Sequence, residues 1–206
     1  IYVNNSNESK LNNVMVENLD FFKDNLFTNL TGGINFHNSV VTVDNLKISN
    51  IFAEDAINFT HSQVNLDNLQ IQNANSDGAD LDFCTGKINN FNSNNIVGDG
   101  LDFSGSKIKI ISGSIKNTGD KAISIGEKSD ILIKGTYIEN ADMGIAVKDN
   151  SIAYVENNNY VNNNLDINMY MKKSYYNLGG TLFIDKRKKN RINIKKDNLS
   201  KINTIN

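Results

Sequence analysis

Residues 32–51 read GGINFHNSVVTVDNLKISNI, and residues 55–74 repeat the pattern as DAINFTHSQVNLDNLQIQNA. Each copy contains three short phrases in which apolar and polar residues alternate. Because side chains alternate between the two faces of a strand, each phrase predicts a β-strand with one apolar face. The stretch therefore holds two copies of a three-stranded unit, 23 residues apart.

The first phrase of this unit recurs along most of the chain. It begins at Ile34, Ile57, Leu81, Leu101, Ile123, Ile145 and Leu165. This alignment places Phe36, Phe59, Phe83 and Phe103 at equivalent inward positions. We therefore expect these four rings to form an aromatic stack inside the molecule.

An asparagine follows the third phrase at a nearly constant interval. The positions are Asn50, Asn73, Asn95, Asn117 and Asn140. Asparagine tolerates the left-handed backbone of a tight bend, and its amide can bond to a neighbouring coil. The spacing predicts an asparagine ladder in which each amide satisfies a buried group at the bend.

Together the strands and the ladder predict an all-β parallel β-helix, a solenoid of about seven to eight coils of about 22 residues with capped ends. Residues 33–168 resemble the right-handed parallel β-helix proteins of the pectin-lyase-like group. The phrases GDKAISIGEKS (119–129) and NADMGIAVKDNS (140–151) also resemble β-helix regions of uncharacterised bacterial proteins. The resemblance implies a right-handed coil and an extracellular or cell-surface location.

The chain divides into three parts. Residues 1–30 are expected to form an N-terminal cap, with a short amphipathic helix or a partial first coil. Residues 31–168 form the solenoid, and residues 169–206 form a basic C-terminal capping segment or tail. Residues 172–206 carry ten basic and two acidic residues, whereas residues 1–171 carry eleven and twenty-one. This basic run can bind a polyanion, or it can be a solvated cap whose charges discourage end-to-end association.

Composition excludes several classes of protein. The single cysteine excludes a disulfide scaffold, and no apolar run is long enough for a transmembrane helix. The formal net charge of −2 does not indicate a sequence-specific nucleic-acid binder. Because the chain begins at Ile1, with no Met and no signal-peptide pattern, we expect it to be a mature chain or, as we favour, part of a larger polypeptide.

Acidic residues concentrate on one side of the middle coils. The alignment places Asp82 and Asp102 at the same outward position one coil apart, between Asn58 and Ser124. Asp77, Asp80, Asp99, Asp120 and Lys121 lie nearby and are candidate binding residues. Asp82 and Asp102 are candidates for an acid and base pair, and Asp80, Asp82, Asp99 and Asp102 for a Ca²⁺ site. The alternative is an acidic, solvated turn.

Two other patterns have weaker chemical meaning. His37, His61 and Cys84 follow successive first phrases, which allows either a zinc column or a chance alignment of turn residues. Pectin-lyase-like enzymes place catalytic groups on the strand corresponding to Val64-Asn65-Leu66. Its outward positions, expected to be Asn65, Asn89, Lys109, Leu132 and Tyr154, offer no carboxylate pair.

The sequence therefore favours a non-catalytic module of a larger bacterial secreted or surface protein. Such a module acts as a rigid scaffold and as a surface for carbohydrate. One alternative is a polysaccharide lyase, epimerase or hydrolase that uses the aspartate patch, with Ca²⁺ as its cofactor. A second alternative is an adhesin that binds a polyanion through its basic C-terminal segment.

Overall fold

The computed structural model describes residues 1–20 and 30–205, and in them the chain is an all-β parallel solenoid of about 8 turns with ~22 residues per turn. The strands of the N-terminal half are β1 (Tyr2–Asn4), β2 (Ser9–Leu19), β3 (Gly32–His37), β4 (Val40–Ile51), β5 (Asp55–Thr60), β6 (Gln63–Ala74), β7 (Asp77–Asp82), β8 (Thr85–Ile96) and β9 (Leu101–Ser104). The later strands are β10 (Lys107–Gly126), β11 (Asp130–Lys148), β12 (Ile152–Glu156), β13 (Asn159–Val161), β14 (Leu165–Tyr170), β15 (Thr181–Asp185), β16 (Ile194–Lys196) and β17 (Lys201–Ile205). A 3₁₀ turn (Ser174–Tyr176) and the short helix α1 (Lys186–Lys189) interrupt the last coils.

Each coil presents three faces, which we call A, B and C in the order in which the chain meets them. Face A contains β3, β5, β7 and β9, and the equivalent ends of β10 and β11. Faces B and C are the first and second halves of long bent strands such as β4, β6 and β8. All these strands pair in parallel with the equivalent strand one coil away, so register decides which side chains become neighbours.

The core is a narrow column of apolar side chains between the three faces. Ile57, Phe59, Leu66 and Ile71 are fully buried, and a side chain of this size contributes ~1.5–3 kcal/mol when buried. Phe36 and Phe59 stack with their ring centroids 5.4 Å apart, as predicted. A thin core of this kind explains how a chain with 39% apolar residues folds.

The predicted place of Phe83 in that stack is wrong. Phe83 is 52% exposed, and Leu81 pairs with both Phe59 and Phe103. The strand phrase of this coil is therefore Ala79-Asp80-Leu81, two residues earlier than the alignment of apolar residues indicated. Phe83 instead has a φ of 53° at the bend after β7.

The asparagine ladder is present, but it lies on the outside of the solenoid. The Nδ2 atoms of Asn73, Asn95 and Asn140 donate to the Oδ1 atoms of Asn50, Asn73 and Asn117 at 3.0, 2.9 and 3.0 Å. Asn117 donates to Asn94 rather than to Asn95, at 2.7 Å. The five predicted asparagines have positive φ angles of 52–62°. In the described part of the chain their amides bond to other asparagine side chains and not to buried backbone groups, so that part of the prediction is wrong.

A second column, which the sequence analysis missed, lies inside the bend between faces A and B. It consists of Ser39, Ser62, Cys84, Ser106, Ser129 and Ser151, which recur every 22 or 23 residues and are all buried. The Oγ atoms of Ser62, Ser106 and Ser129 accept from the backbone N–H one coil earlier, at 3.1, 2.8 and 3.0 Å. This column joins successive coils through their backbones, as the asparagines do from outside.

Strand pairing extends to both ends of the described chain. β1 and β2 pair with β3 and β4. Residues 21–29, which belong to the predicted N-terminal cap (1–30), lie outside the described residues. At the other end, β16 pairs with β14 and β17 with β15. The solenoid pairing thus continues beyond the predicted boundary at residue 168. The strand pattern survives there, although the insertion before β15 breaks the spacing.

Candidate functional site

The acidic residues of face A form a different pair from the predicted one. Asp80 pairs with Asp102, whereas Asp82 pairs with Ser104. Asn58 is the neighbour of Asp80, and Ser124 is the neighbour of Asp102. The prediction that Asp82 and Asp102 are equivalent is wrong for the same reason as the placement of Phe83, a two-residue shift in the alignment.

Asp80 lies in a partly enclosed position among other carboxyl groups. Asn58 Nδ2 donates to Asp80 Oδ2 at 3.0 Å. Burial, followed by the charges of Asp82, Asp55 and Asp102, raises the pKa of Asp80 to about 9. Asp80 is therefore protonated at neutral pH and can donate a proton to a bound molecule.

A second column of carboxyl groups runs beside Asp80 and consists of Asp55, Asp77 and Asp99. Two of these carboxyl groups accept hydrogen bonds from backbone N–H groups. Asp77 Oδ1 accepts from the N–H of Asp99 at 2.7 Å, and Asp99 Oδ1 accepts from the N–H of Lys121 at 3.0 Å. Burial is the main cause that raises the pKa of Asp77 to about 7 and that of Asp55 to about 6. Burial also raises the pKa of Asp99, although the positive charge of Lys121 acts to lower it. Asp77 and Asp99 therefore also have a structural role, since each ties its coil to the next.

Lys121 neutralises part of this cluster. Its Nζ lies 3.2 Å from Asp99 Oδ1 and also pairs with Asp120, while the lysine side chain is only 9% exposed. Burial lowers the pKa of Lys121, but hydrogen bonds and charges from Asp120 and Asp99 outweigh it and raise the net value. Lys121 was predicted as a binding residue, and the structure commits its charge to these two aspartates.

Lys148 is a buried cation that the sequence analysis did not single out. Its Nζ donates to Ser124 Oγ at 2.7 Å. Burial lowers its pKa, while the charge of Asp102 acts in the opposite direction. A serine beside a lysine of lowered pKa is an arrangement used in nucleophilic catalysis. Ser124, however, is 0% exposed, so a substrate does not reach its hydroxyl and the pair stabilises the coil instead.

Asp82 lies close enough to Glu127 for their charges to interact. Burial, with the charges of Asp102 and Glu127, raises the pKa of Asp82. Glu127 pairs with Lys173 and accepts from Tyr176 Oη at 3.4 Å. Asp149 Oδ1 accepts from the backbone N–H groups of Lys172 and Lys173 at 2.7 and 2.8 Å. These contacts hold the segment that follows β14 against two successive coils.

The carboxylates do not converge on a metal site in the described part of the chain. Within residues 1–20 and 30–205, no group of three or more His, Cys, Asp or Glu side chains is placed to hold a metal ion. The Ca²⁺ site predicted from Asp80, Asp82, Asp99 and Asp102 therefore has no assembled ligand set to support it. The register provides a reason, because these residues lie on three different columns of face A.

His37, His61 and Cys84 do not form one column. His37 pairs with Thr60, whereas the ring of His61 stacks on Phe83 with centroids 4.8 Å apart. Cys84 belongs to the buried serine column, where its Sγ donates to the carbonyls of Phe59 and Asp82 at 3.3 Å. Burial raises the pKa of Cys84 to about 12, so this thiol packs and bonds as a serine would.

A groove on face B is the second candidate site. Successive outward positions there are Asn65, Lys87, Lys109, Leu132, Tyr154 and Phe183. Lys87 occupies the position that the sequence analysis gave to Asn89, which pairs with Asp67 instead. From Lys87 onward the outward side chains change from cationic to apolar and then to aromatic, and from exposed to half-buried.

The groove contains a cavity of about 530 Å³ over the middle of that row. It is lined by Thr85, Gly86, Lys107, Ile108, Lys109, Asp130, Leu132, Tyr154 and Glu156. Gly86 stands in register with the inward residues Val64 and Ile108 but has no side chain. Its φ is 140°, and a Cβ there would lie 1.8 Å from the Val64 carbonyl oxygen. Only glycine therefore fits this part of the cavity wall.

Tyr154 forms part of the cavity wall. Phe183 stacks on the ring of Tyr154 with centroids 4.7 Å apart and an interplanar angle of 12°. Leu132 is the in-register neighbour of Tyr154 on the opposite side, and both residues line the cavity. Ion pairs line both rims, Lys107–Asp130 at 3.4 Å and Lys134–Glu156 at 3.3 Å.

No family model, no curated protein and no solved structure matches the chain. None of the helices among the described residues is long and apolar enough to span a membrane. The fold and site therefore define the protein as a parallel β-solenoid with an acidic cluster on face A and an aromatic-ended groove on face B.

Proposed function

We propose that this chain is a rigid β-solenoid module that binds a carbohydrate chain in the face B groove. The observation that carries the proposal is the stacked aromatic ring of Tyr154, which lines the 530 Å³ cavity. The electron-rich face of an aromatic ring attracts the C–H groups on the face of a sugar ring. Paired charges along both rims supply donors and acceptors for hydroxyl groups, as ligand sites require.

The dimensions of the groove support the same function. Adjacent coils of the solenoid lie ~4.8 Å apart, which is close to the length of one sugar residue in an extended polysaccharide. The resemblance to pectin-lyase-like proteins gives the proposal its setting, a larger secreted or surface protein of a bacterium. In that setting the solenoid holds the groove at a fixed distance from its neighbouring domains.

The test compares Tyr154→Ala with Tyr137→Ala, an outward tyrosine of face C. Both proteins are titrated with a panel of soluble neutral and acidic polysaccharides by affinity electrophoresis and calorimetry. We expect at least one polysaccharide to bind the wild-type chain, with ~10-fold weaker binding to Tyr154→Ala and unchanged binding to Tyr137→Ala. Equal losses in both variants, or binding to none of the polymers, would contradict the proposal.

A second candidate function, polysaccharide cleavage, is favoured by the pairing of Asp80 with Asp102. Asp80 holds a proton at neutral pH, and the two residues are in register on adjacent strands, whose backbones are ~4.8 Å apart. Retaining glycosidases place an acid and a nucleophile about 5–5.5 Å apart. In this alternative Asp80 is the acid and Asp102 the nucleophile, and Asp82 no longer has the role that the sequence suggested.

The assay for this alternative measures reducing ends and unsaturated ends released from the same panel, with and without Ca²⁺. Activity lost in Asp80→Asn and in Asp102→Asn but retained in Asp82→Asn would establish the pair. The absence of product from every polymer, under both conditions, would leave the binding module as the better description.

A further inference from the structure

The C-terminal end of the solenoid carries a dense positive charge. Between residues 186 and 201 eight basic residues stand within sixteen positions, and we call this set the basic end. Its members are Lys186, Arg187, Lys188, Lys189, Arg191, Lys195, Lys196 and Lys201. Most of these side chains are exposed, in contrast to the buried Lys121 and Lys148 of face A.

Little of this charge is neutralised within the protein. Among the described residues, the ion pairs of the basic end are limited to Arg187 with Asp185, whose Oδ2 lies 3.1 Å from Nη2. Lys196 Nζ donates to the backbone carbonyls of Asp197 and Ser200, at 3.1 and 3.3 Å. In helix α1, Lys186, Lys188 and Lys189 therefore have no ion-pair partner among the described residues.

The basic end adjoins the face B groove. Helix α1 begins directly after β15, the strand that contains Phe183. Lys201 pairs with Thr181, and Thr181 pairs with Ile152. Ile152 in turn pairs with Asp130 on the cavity rim. A polymer that lies along the groove and passes Tyr154 and Phe183 therefore reaches the basic end within two coils.

We propose that the basic end binds the phosphate or sulfate groups of an anionic polysaccharide. Closely spaced, exposed cations attract a polymer of regularly spaced oxyanions, and the attraction is screened by salt. The segment lacks the interleaved aromatic residues on which single-stranded nucleic acids stack. The choice of a polysaccharide over other polyanions rests on the proposed function of the adjoining groove, whereas anion binding itself does not depend on it.

The experiment uses the full chain and titrates it with heparin fragments, inorganic polyphosphate and a single-stranded oligonucleotide at several salt concentrations. The test variant is Lys186→Gln/Lys189→Gln, which removes two exposed charges of α1. The control is Lys47→Gln/Lys116→Gln, which removes the same charge from face C. We expect ~3–10-fold weaker heparin binding in the test variant, no change in the control, and a reduced dependence on salt.

Each outcome separates this inference from the proposed function. Polyphosphate binding with the same sensitivity to the α1 variant would show that the oxyanion alone is recognised. Tighter binding of the oligonucleotide than of heparin at equal salt would overturn the assignment to a polysaccharide. Equal loss in the test and control variants, or no heparin binding at low salt, would overturn the basic end as a site. Neither of these last results would affect neutral polysaccharide binding that depends on Tyr154.

Discussion

At the scale of single residues, Asp80 links burial to pH. A carboxyl group with a pKa raised to about 9 keeps its proton in the folded state after the unfolded chain has lost it, above pH ~4. Its contribution to stability is thus fully present at low pH and is lost as pH rises to about 9. Asp77 and Asp55, with pKa values raised to about 7 and about 6, act in the same direction.

We therefore expect Asp80→Asn to stabilise the protein at alkaline pH. Asparagine removes the charge that burial disfavours, which we expect to be worth ~1–3 kcal/mol at pH 9 and close to nothing at pH 4. Urea unfolding at the two pH values measures the difference. Asp44→Asn, on an exposed aspartate of face B, is the control and should change neither value. A stabilisation of equal size at both pH values would contradict the assignment.

Cys84 provides a second prediction at this scale. Because it occupies a position where five other coils have serine, Cys84→Ser should change the free energy of unfolding by less than ~1 kcal/mol. Cys84→Val leaves the carbonyls of Phe59 and Asp82 without the Sγ donor and should cost ~1–3 kcal/mol. Thermal melting of the two variants compares them directly. A valine variant as stable as the serine variant would mean that the column packs but does not bond.

At the scale of elements, the outer asparagine ladder has two separable contributions. Asn117→Ala loses hydrogen bonds to Asn94 and Asn140 and also places an alanine at φ 52°, for a total cost of ~1–3 kcal/mol. Asn117→Gly loses the same bonds without the backbone strain and should cost less. Chemical denaturation of both variants separates the two effects. If glycine proves the more damaging, backbone strain does not contribute.

The sequence predicted the strands, the coil length and the ladder because each depends on a local pattern. Ile57 alternates with Asn58 whatever its neighbours are, and Asn73 follows its phrase at a fixed distance. The candidate sites depend on register between coils, which local alternation does not fix. In the coil of Asp80 and Asp82, two overlapping phrases satisfy the apolar pattern, and only the packing of Leu81 between Phe59 and Phe103 selects one.

The groove and the buried cation were hidden for related reasons. Tyr154 and Phe183 are 29 residues apart, so an insertion conceals their pairing in the sequence. Lys148 follows the apolar phrase Ile145-Ala146-Val147 and resembles a surface lysine at the end of a strand. The serine column, in contrast, has a spacing of 22 or 23 residues that was readable from the sequence.

At the scale of the whole molecule, contacts connect each coil mainly to its two neighbours. Such a solenoid unfolds from its ends, where a coil has one neighbour instead of two. We expect hydrogen exchange to be slowest for the middle strands β5–β10 and faster for β1, β2, β16 and β17. Exchange measured by mass spectrometry on the full chain tests this expectation. Uniform protection along the chain would indicate that the coils unfold together.

The enclosure of Cys84 also makes the solenoid suitable as a measuring device. The only thiol of the chain lies inside the serine column. A dye or cross-linker therefore reacts with a cysteine introduced at an outward position rather than with Cys84. Outward positions are repeated once per coil, so two such labels are separated by a whole number of ~4.8 Å steps. The protein can therefore hold two labels at known distances, which are multiples of the spacing between its hydrogen-bonded strands.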